Sequence, residues 1–463
     1  MAEHALTMPL TAGVSRLGQA LLMGAGVLLM VCAPLIRGGN RHVALIGLEW
    51  LGQAVLLGAG LMALAGQGGQ GAWGQGRARA GLLLLAASPL WVALLQLLPL
   101  PIDVWAALPG RALYQDLLAV VQMPQPAWRA ASLTPAATWA SVLAGIPVVA
   151  CFVLALSCSA GQLRLLTRIW IGLALVQALL GLAQLGNFEL LFFDANTNRV
   201  IGTFANPNHF ANFLAMTLPL VVLEIRQVIN DASAHHHRVG HAGLLWGVLL
   251  FVLLAAVLAS SSRGGIGTAL LVTLAATLLL PGRHGAQADL RWRLWALAAL
   301  LLVAVASVGL GWLERFQGDL LSDDASFRGL MRAATWAGAL EFWPLGSGLG
   351  SYGMVFPRFQ PAMVTGFVEY AHSDYVQLLM ECGALFVVLA ALLLWLLARQ
   401  ASWLVPRAVR AHGHNPHEQL MMACGLGLLA LLLHSWLDFN LHIPANAMLG
   451  AFLLGGFLRT EKG

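Results

Sequence analysis

Charged residues are scarce in this sequence. Asp, Glu, Lys and Arg make up 10% of the 463 residues and hydrophobic residues 59%, and the mean hydropathy is +0.78. Soluble globular proteins carry about 25% charged residues, so this chain has too few to cover its surface in water. The composition argues against a soluble enzyme, a nucleic-acid-binding protein and a disordered scaffold. It predicts one polytopic helical membrane domain over residues 1–463.

Lysine, paired cysteines and nucleotide motifs are also missing. Lys462 is the only lysine, and the net charge of +5 is spread thinly, without the basic stripe that nucleic-acid binding needs. The five cysteines form no CxxC pair, so neither a disulfide framework nor a zinc site is indicated. No P-loop occurs, and no clear strand precedes the glycines at 346–350. These absences argue against an ATP-driven pump and a dinucleotide fold.

Long apolar runs are abundant. A run of about 20 apolar residues crosses a bilayer as a helix, and about twelve such spans are predicted. They lie near 17–36, 43–65, 80–101, 138–159, 169–187, 209–225, 244–259, 266–281, 294–312, 375–398, 419–436 and 444–458. The even number puts both termini on one side, and the excess of Lys and Arg there favours the cytoplasm. Two long external segments follow, near 102–137 and 313–374, and the second is expected to form short helices at the membrane surface.

Polar side chains are costly near lipid, and four groups of them fall on the predicted external side. They are 202–210 with Asn206, Asn208 and His209; 260–265 with Ser262 and Arg263; 323–336 with Arg328 and Arg332; and 369–375 with His372, Ser373 and Asp374. A fifth, smaller group between the last two spans contains His434, Asp438, Asn440 and His442.

Each group has a structural interpretation beside a functional one. The residues at 206–209 could cap a membrane helix, and Arg263 could be an interfacial anchor or a bidentate phosphate ligand. Arg328 and Arg332 are four residues apart and would share one face of a helix, where the structural interpretation makes them solvated charges. The adjacent acidic residues at 323–324 are a weak signal for a metal, and no metal site is expected.

His372 is the candidate for proton transfer. A histidine near its ordinary pKa suits general-base work, although a lone histidine at a membrane interface is more often structural. Asp374 lies two residues away and would orient the imidazole only if the backbone turns.

Four of these segments, in this order, resemble the O-antigen ligase/polymerase superfamily of bacterial membrane glycosyltransferases. Gly202–His209 looks like the family's Asn-Pro-Asn-His turn, and Ser261–Gly264 looks like its Ser-x-Arg segment. Arg332 and Trp336, followed by 344–350, resemble its large periplasmic loop. His372-Ser373, nine residues and then Gly383 fit a family pattern, from which Phe386 departs at the last position. The resemblance covers about 200–390, the expected catalytic region.

The resemblance implies an all-α polytopic membrane protein of the GT-C-like class, with about 12 transmembrane helices and a large periplasmic loop containing short helices at 313–374. It implies the bacterial inner (cytoplasmic) membrane, with the active site facing the periplasm. The implied partners are an undecaprenyl-diphosphate-linked glycan donor, an acceptor glycan (a lipid-linked repeat unit or lipid A-core) and membrane lipids, with no nucleic acid.

The family's chemistry assigns roles to these residues by resemblance. An acceptor hydroxyl attacks the anomeric carbon, and the lipid diphosphate leaves; Arg263 and Arg332, with Arg328 as an alternative, would stabilise the leaving group. His372 would take the acceptor proton, and the configuration would invert. The candidate substrate-binding residues are Arg328, Asn206, Asn208, His209, Ser262, Ser373 and Asp374. The diphosphate linkage supplies the energy, so neither metal nor other cofactor is expected.

Two choices stay open at this point. The segment 438–444 resembles exopolysaccharide-type members and favours a polymerase over a ligase. The alternative class is a multi-pass transporter of bicarbonate or another small anion, which would place ionisable residues and broken helices near mid-membrane in repeated halves. A structural membrane scaffold is the third class.

Overall fold

The computed structural model describes residues 2–66, 77–121, 126–186, 200–234, 240–280, 320–410 and 415–459. The α-helices of these residues are α1 (Ala2–Cys32), α2 (His42–Leu64), α3 (Arg77–Ala86), α4 (Ser88–Gln96), α5 (Ile102–Ala106), α6 (Ala112–Val120), α7 (Pro135–Ser157), α8 (Ala160–Ala183), α9 (Pro207–Ala234), α10 (Gly240–Ala259), α11 (Arg263–Leu279), α12 (Leu320–Glu341), α13 (Tyr352–Val355), α14 (Asp374–Cys382), α15 (Ala384–Arg410), α16 (Pro416–His434) and α17 (Pro444–Phe457). Two short strands, β1 (Pro99–Pro101) and β2 (Trp128–Ala130), pair antiparallel.

Eight helices of the described part are long and apolar enough to cross a membrane: α1, α2, α7, α8, α9, α10, α15 and α16. The apolar helices α11 and α17 are shorter, at 17 and 14 residues. This architecture confirms the all-α membrane fold expected from the composition. The span expected at 294–312 lies outside the described residues.

Two of the expected membrane spans are interrupted in the structure, one at prolines and the other at a glycine. The run at 80–101 forms two short helices, α3 and α4, followed by strand β1. Pro89 lies in the first turn of α4, and Pro99 and Pro101 lie in the strand. Proline lacks the N–H that a continuous helix needs at these positions. The run expected at 375–398 is divided at Gly383, so that α14 precedes the break and the membrane helix α15 starts at Ala384.

Helix α9 lies at the centre of the membrane core. Most of its apolar window is buried, and it packs against α8, α10, α11, α16 and α17. Edge-to-face contacts of Trp170 with Phe213 and Phe452, at 6.0 and 6.2 Å between ring centroids, join α8, α9 and α17. The start of α9, which carries Asn208 and His209, is therefore held on a closely packed scaffold.

The segment predicted to be external at 313–374 takes part in a second, smaller core. Met331, Phe342, Tyr352, Phe356 and Met380 are buried together between α12, α13 and α14. The segment 346–350 crosses this core as a loop, not as part of a strand–turn–helix unit. It is hydrogen-bonded to α14 through the backbone N–H groups at 347 and 348, which donate to the carbonyls of Met380 (3.0 Å) and Glu381 (3.0 Å).

Gly383 makes the break between α14 and α15 possible. Its φ is +57°, a conformation that side chains other than glycine adopt at a cost. A Cβ at this position would also press on the backbone of Pro344, whose carbonyl accepts the N–H of Ala384 at 2.8 Å. Steric contact with Pro344 therefore explains why the His-Ser-x9-Gly pattern of this sequence has a glycine at position 383.

We expect Gly383→Ala to lower the free energy of unfolding by roughly 1–3 kcal/mol, because the left-handed backbone and the close approach to Pro344 both penalise a Cβ. Thermal unfolding of the purified protein in detergent measures the loss. Gly172→Ala is the matched control, since nothing lies within 4 Å of a Cβ there. Equal melting temperatures for Gly383→Ala and the parent protein would contradict this account.

Candidate functional site

A fully buried carboxylate, Asp438, is the point at which the candidate site residues meet. Its Oδ1 lies 3.3 Å from Nδ1 of His372 and 3.8 Å from Nε2 of His209. Its Oδ2 accepts a hydrogen bond from the side-chain amide of Asn208 and lies 3.8 Å from Nη1 of Arg328. Three of the four polar groups predicted from the sequence, those at 202–210, 323–336 and 369–375, therefore contact Asp438, which belongs to the fifth group.

The start of α9 reaches Asp438 because Asn206 caps the helix. The Asn206 side-chain oxygen accepts the N–H of Asn208 at 2.8 Å, which fixes the first turn from Pro207 onward. Asn206 thus fulfils the capping interpretation. Asn208 and His209, two and three positions later, point to the carboxylate instead.

His372 lies in a strained backbone conformation beside this carboxylate. Its φ is +51°, in the left-handed region that residues with a Cβ rarely adopt. The neighbouring N–H groups hold it there: Ala371 donates to Oε1 of Gln377 at 3.0 Å, and Asp374 donates to the carbonyl of Ser435 at 3.0 Å. With Nδ1 turned to Asp438, the opposite ring atom Nε2 is left for a substrate, and the side chain is 25% exposed.

An aromatic side chain separates the histidines from one another. The ring of Phe439 contacts His209 edge-on at 4.5 Å and His372 edge-on at 5.2 Å, and it stacks on Tyr370 at 4.3 Å between centroids. The backbone N–H of Phe439 also donates to Oδ1 of Asp438 at 2.9 Å. Phe439 therefore fixes both the imidazole rings and the carboxylate.

The first turn of α11, which begins at Arg263, packs against the end of α16 and the loop that follows it. Ser262 caps this helix by accepting the N–H of Gly265 at 3.1 Å. Gly264 packs so closely on α16 that an added Cβ would lie 2.9 Å from Nε2 of His434 and 3.2 Å from the side chain of Leu437. Arg263 therefore starts from a backbone adjacent to the loop that carries Asp438.

The two arginines of α12 differ in their contacts. Arg328 donates to the carbonyl of Leu437 at 3.0 Å in addition to its ion pair with Asp438. Arg332 is half-buried one turn further along and makes no hydrogen bond or ion pair in the part of the chain that the structure describes. The side chains of the acidic residues at 323–324 lie outside the described residues.

In the described ranges, neither Asp374 nor Ser373 forms a hydrogen bond with the side chain of His372. The Asp374 carboxylate accepts hydrogen bonds from Nδ1 of His442 at 2.7 Å and from the N–H of Leu441 at 2.9 Å. The Ser373 hydroxyl is buried and has no hydrogen-bond partner among the described residues. Asp438, 66 residues away in sequence, is the carboxylate that orients His372.

The charge of Asp438 is strongly stabilised. Burial raises the pKa of this carboxyl, but the adjacent imidazoles of His209 and His372 lower it by more, to a net value well below its usual range. A depressed folded-state pKa adds stability above the unfolded-state pKa of about 4 and loses it as the pH falls through the folded-state pKa. The carboxylate is therefore charged throughout the neutral range.

Sequence reasoning placed Asp438 in a lesser group and did not count it among the site residues. The signal that could have identified it is the density of polar residues in the segment 438–442, in an otherwise apolar stretch between two membrane helices. A buried carboxylate without a partner is costly, so a cation or imidazole elsewhere in the chain had to meet it.

We expect Asp438→Asn to lower the free energy of unfolding by roughly 1–3 kcal/mol, because charge-assisted hydrogen bonds and the ion pair with Arg328 are lost while the side-chain shape is kept. The deficit should persist between about pH 5 and pH 8, since the carboxyl stays ionised there. Thermal unfolding in detergent at both pH values measures it. A deficit that vanishes at about pH 5 would contradict the depressed pKa.

Comparison with known proteins agrees with this geometry. Residues 248–393 match the family described as O-antigen ligase. The matched region contains Arg263, Arg328, Arg332 and His372, whereas Asn208 and Asp438 lie outside it. No curated protein matches the chain. Over residues 248–393 the chain is similar to the O-antigen ligase family, and this match supports the O-antigen ligase/polymerase superfamily.

Proposed function

We propose that this protein is a glycosyltransferase that transfers or polymerises undecaprenyl-diphosphate-linked glycan units at the periplasmic face of the bacterial inner membrane. The observation that carries the proposal is the pairing of His372 with the buried Asp438, whose carboxylate also lies 3.8 Å from Arg328 on α12. The family match supports an enzyme over a carrier of bicarbonate or another anion.

His372 acts as the general base. With Nδ1–H donated to Asp438, Nε2 carries the lone pair and accepts the proton of the attacking acceptor hydroxyl. The negative charge of Asp438 then stabilises the imidazolium that forms, in the manner of the carboxylate in a catalytic triad. Oxygen of the acceptor bonds to the anomeric carbon as the carbon–oxygen bond to the diphosphate breaks, and attack from the opposite face inverts the configuration.

Arg263 and Arg332 bind the lipid diphosphate. A guanidinium keeps its charge at any relevant pH and offers two parallel N–H groups to phosphate oxygens. As the glycosidic bond breaks, negative charge grows on the leaving diphosphate, so these cations stabilise the transition state more than the ground state. Arg328 is engaged with Asp438 and Leu437, and it serves the site mainly by holding the carboxylate.

The remaining polar residues of the first turns support these groups. Asn208 and His209 line the carboxylate side of the site, where an acceptor sugar would enter next to His372. Ser262 shapes the turn that presents Arg263. Among the acceptors, another lipid-linked repeat unit fits the polymerase interpretation and lipid A-core fits the ligase interpretation.

We expect His372→Ala to reduce glycan transfer by roughly 100-fold or more, which is the usual contribution of a general base. The assay uses purified protein and a defined undecaprenyl-diphosphate glycan, with product formation followed by gel or mass spectrometry. His42→Ala, at an exposed position at the start of α2, is the matched control and should retain activity. Full activity of His372→Ala would remove the proposed base.

We expect Arg332→Gln to weaken turnover of the same donor by roughly 10- to 1,000-fold, since a donor to the developing charge is lost. Arg332→Lys should recover part of the rate, because it keeps the charge without the bidentate geometry. Lipid A-core and lipid-linked glycan are offered as separate acceptors. Polymer growth without lipid A would exclude the ligase interpretation, and an unaffected Arg332→Gln variant would exclude the diphosphate role.

A further inference from the structure

One buried polar face of α14 is unused by the chemistry described so far. Asp374, Gln377 and Glu381 lie three and four residues apart, hence on one side of the helix, and all three are buried. Asp374 holds the 438–442 loop, Gln377 holds the residue before His372, and Glu381 accepts the N–H groups of Gly350 and Tyr352, each at 3.0 Å.

The hydrogen bonds of Gln377 have a fixed direction. Its Oε1 accepts the N–H of Ala371 at 3.0 Å, so the amide cannot be reversed without leaving that N–H unsatisfied. The amide nitrogen therefore faces Nε2 of His442 at 3.0 Å and Oε1 of Glu381 at 3.4 Å. Both of these atoms must act as acceptors.

This direction determines the proton position on His442. Nε2 accepts from Gln377, so the ring proton is on Nδ1 and is donated to Asp374 at 2.7 Å. A second proton on Nε2 would put two N–H groups against each other at 3.0 Å. His442 can take that proton only if the Gln377 amide turns and releases Ala371.

From these contacts we propose that Gln377 and His442 are positioning residues for His372, and that protonation of His442 loosens the base. This inference rests on the proposed function, because it concerns the same proton acceptor. His372 needs such support, since its φ of +51° is unfavourable for a residue with a Cβ. Gln377 holds the residue on each side of it, since its side chain accepts the N–H of Ala371 at 3.0 Å and its backbone N–H donates to the carbonyl of Ser373 at 3.2 Å.

The surroundings of His442 favour its protonation. Burial lowers the pKa of this imidazole, whereas Asp374, Glu381 and Glu369 raise it by more, so the net pKa is above its usual value. The ring of Tyr370, at 5.3 Å, is the other titratable neighbour. As the pH falls through this raised pKa, the His442–Asp374 ion pair gains stability while Gln377 loses Ala371. Activity and stability therefore change in opposite directions with acid.

The first test is a readout that needs no activity. Protein labelled with ¹⁵N-histidine is measured by NMR in detergent, with His442 assigned by comparison with His442→Asn. At about pH 8 we expect a protonated Nδ1 and an unprotonated Nε2. In Gln377→Leu the imidazole signals of His372 should also shift. A protonated Nε2 on His442, or unchanged His372 signals, would overturn the proposal even if no transfer reaction were detected.

The second test separates positioning from folding by kinetics. Gln377→Leu should lower kcat by roughly 10- to 100-fold at unchanged donor KM, because a displaced base costs rate while the arginines still bind the diphosphate. Gln377→Glu keeps an acceptor for Ala371 and also accepts from protonated His442, so it should retain activity at a lower pH than the parent protein.

Gln400→Leu is the matched control, since Gln400 on α15 is also a partly buried glutamine with hydrogen bonds, its amide nitrogen donating to the backbone carbonyls of Phe457 and Arg459. It should leave kcat and the pH profile unchanged. An equal acid limb in Gln377→Glu and the parent protein, or unchanged kcat in Gln377→Leu, would exclude the positioning role. Absence of transfer by the parent protein would exclude the proposed function instead.

Discussion

The burial of one carboxylate, Asp438, constrains the end of the helix bundle at which it lies. A charged group out of contact with water is stable only if cations or hydrogen-bond donors surround it. Asp438 draws its donors from α9, from α12 and from the loop before α14. The membrane helices are far apart in sequence, and this shared requirement is what brings their ends together at one point.

The buried polar side chains of α14 also satisfy their hydrogen bonds inside the protein, and their partners include backbone groups of neighbouring segments. On α14, three successive polar side chains fasten the loop at 438–442, the residue before His372 and the segment at 350–352. Each is buried and each bonds to backbone groups. Backbone bonds of this kind fix position more firmly than surface ion pairs, whose contribution is small. His372 is therefore held in a fixed position by hydrogen bonds of the neighbouring backbone, even though it lies in a loop.

Apolar runs in the sequence predicted most of the membrane helices. The thickness of the bilayer requires about 20 apolar residues in a spanning helix, and a run of that length is visible in the sequence itself. The division at Gly383 was missed, since glycine does not interrupt an apolar run, and only the packing of Pro344 against it shows why the helix stops. The gathering of polar residues on one side predicted the region of the site. Their partners could not be predicted, because the contacts of His372 with Asp438 and of Asp374 with His442 depend on how distant helices pack.

The left-handed backbone at position 372 has an evolutionary consequence. Glycine adopts that conformation freely, asparagine, aspartate and histidine adopt it more often than other residues, and β-branched residues are strongly disfavoured there. Selection at this position therefore acts through two filters, first the shape of the chain and then the chemistry of the imidazole. A relative without the histidine would keep its fold most easily with asparagine or glycine at this position.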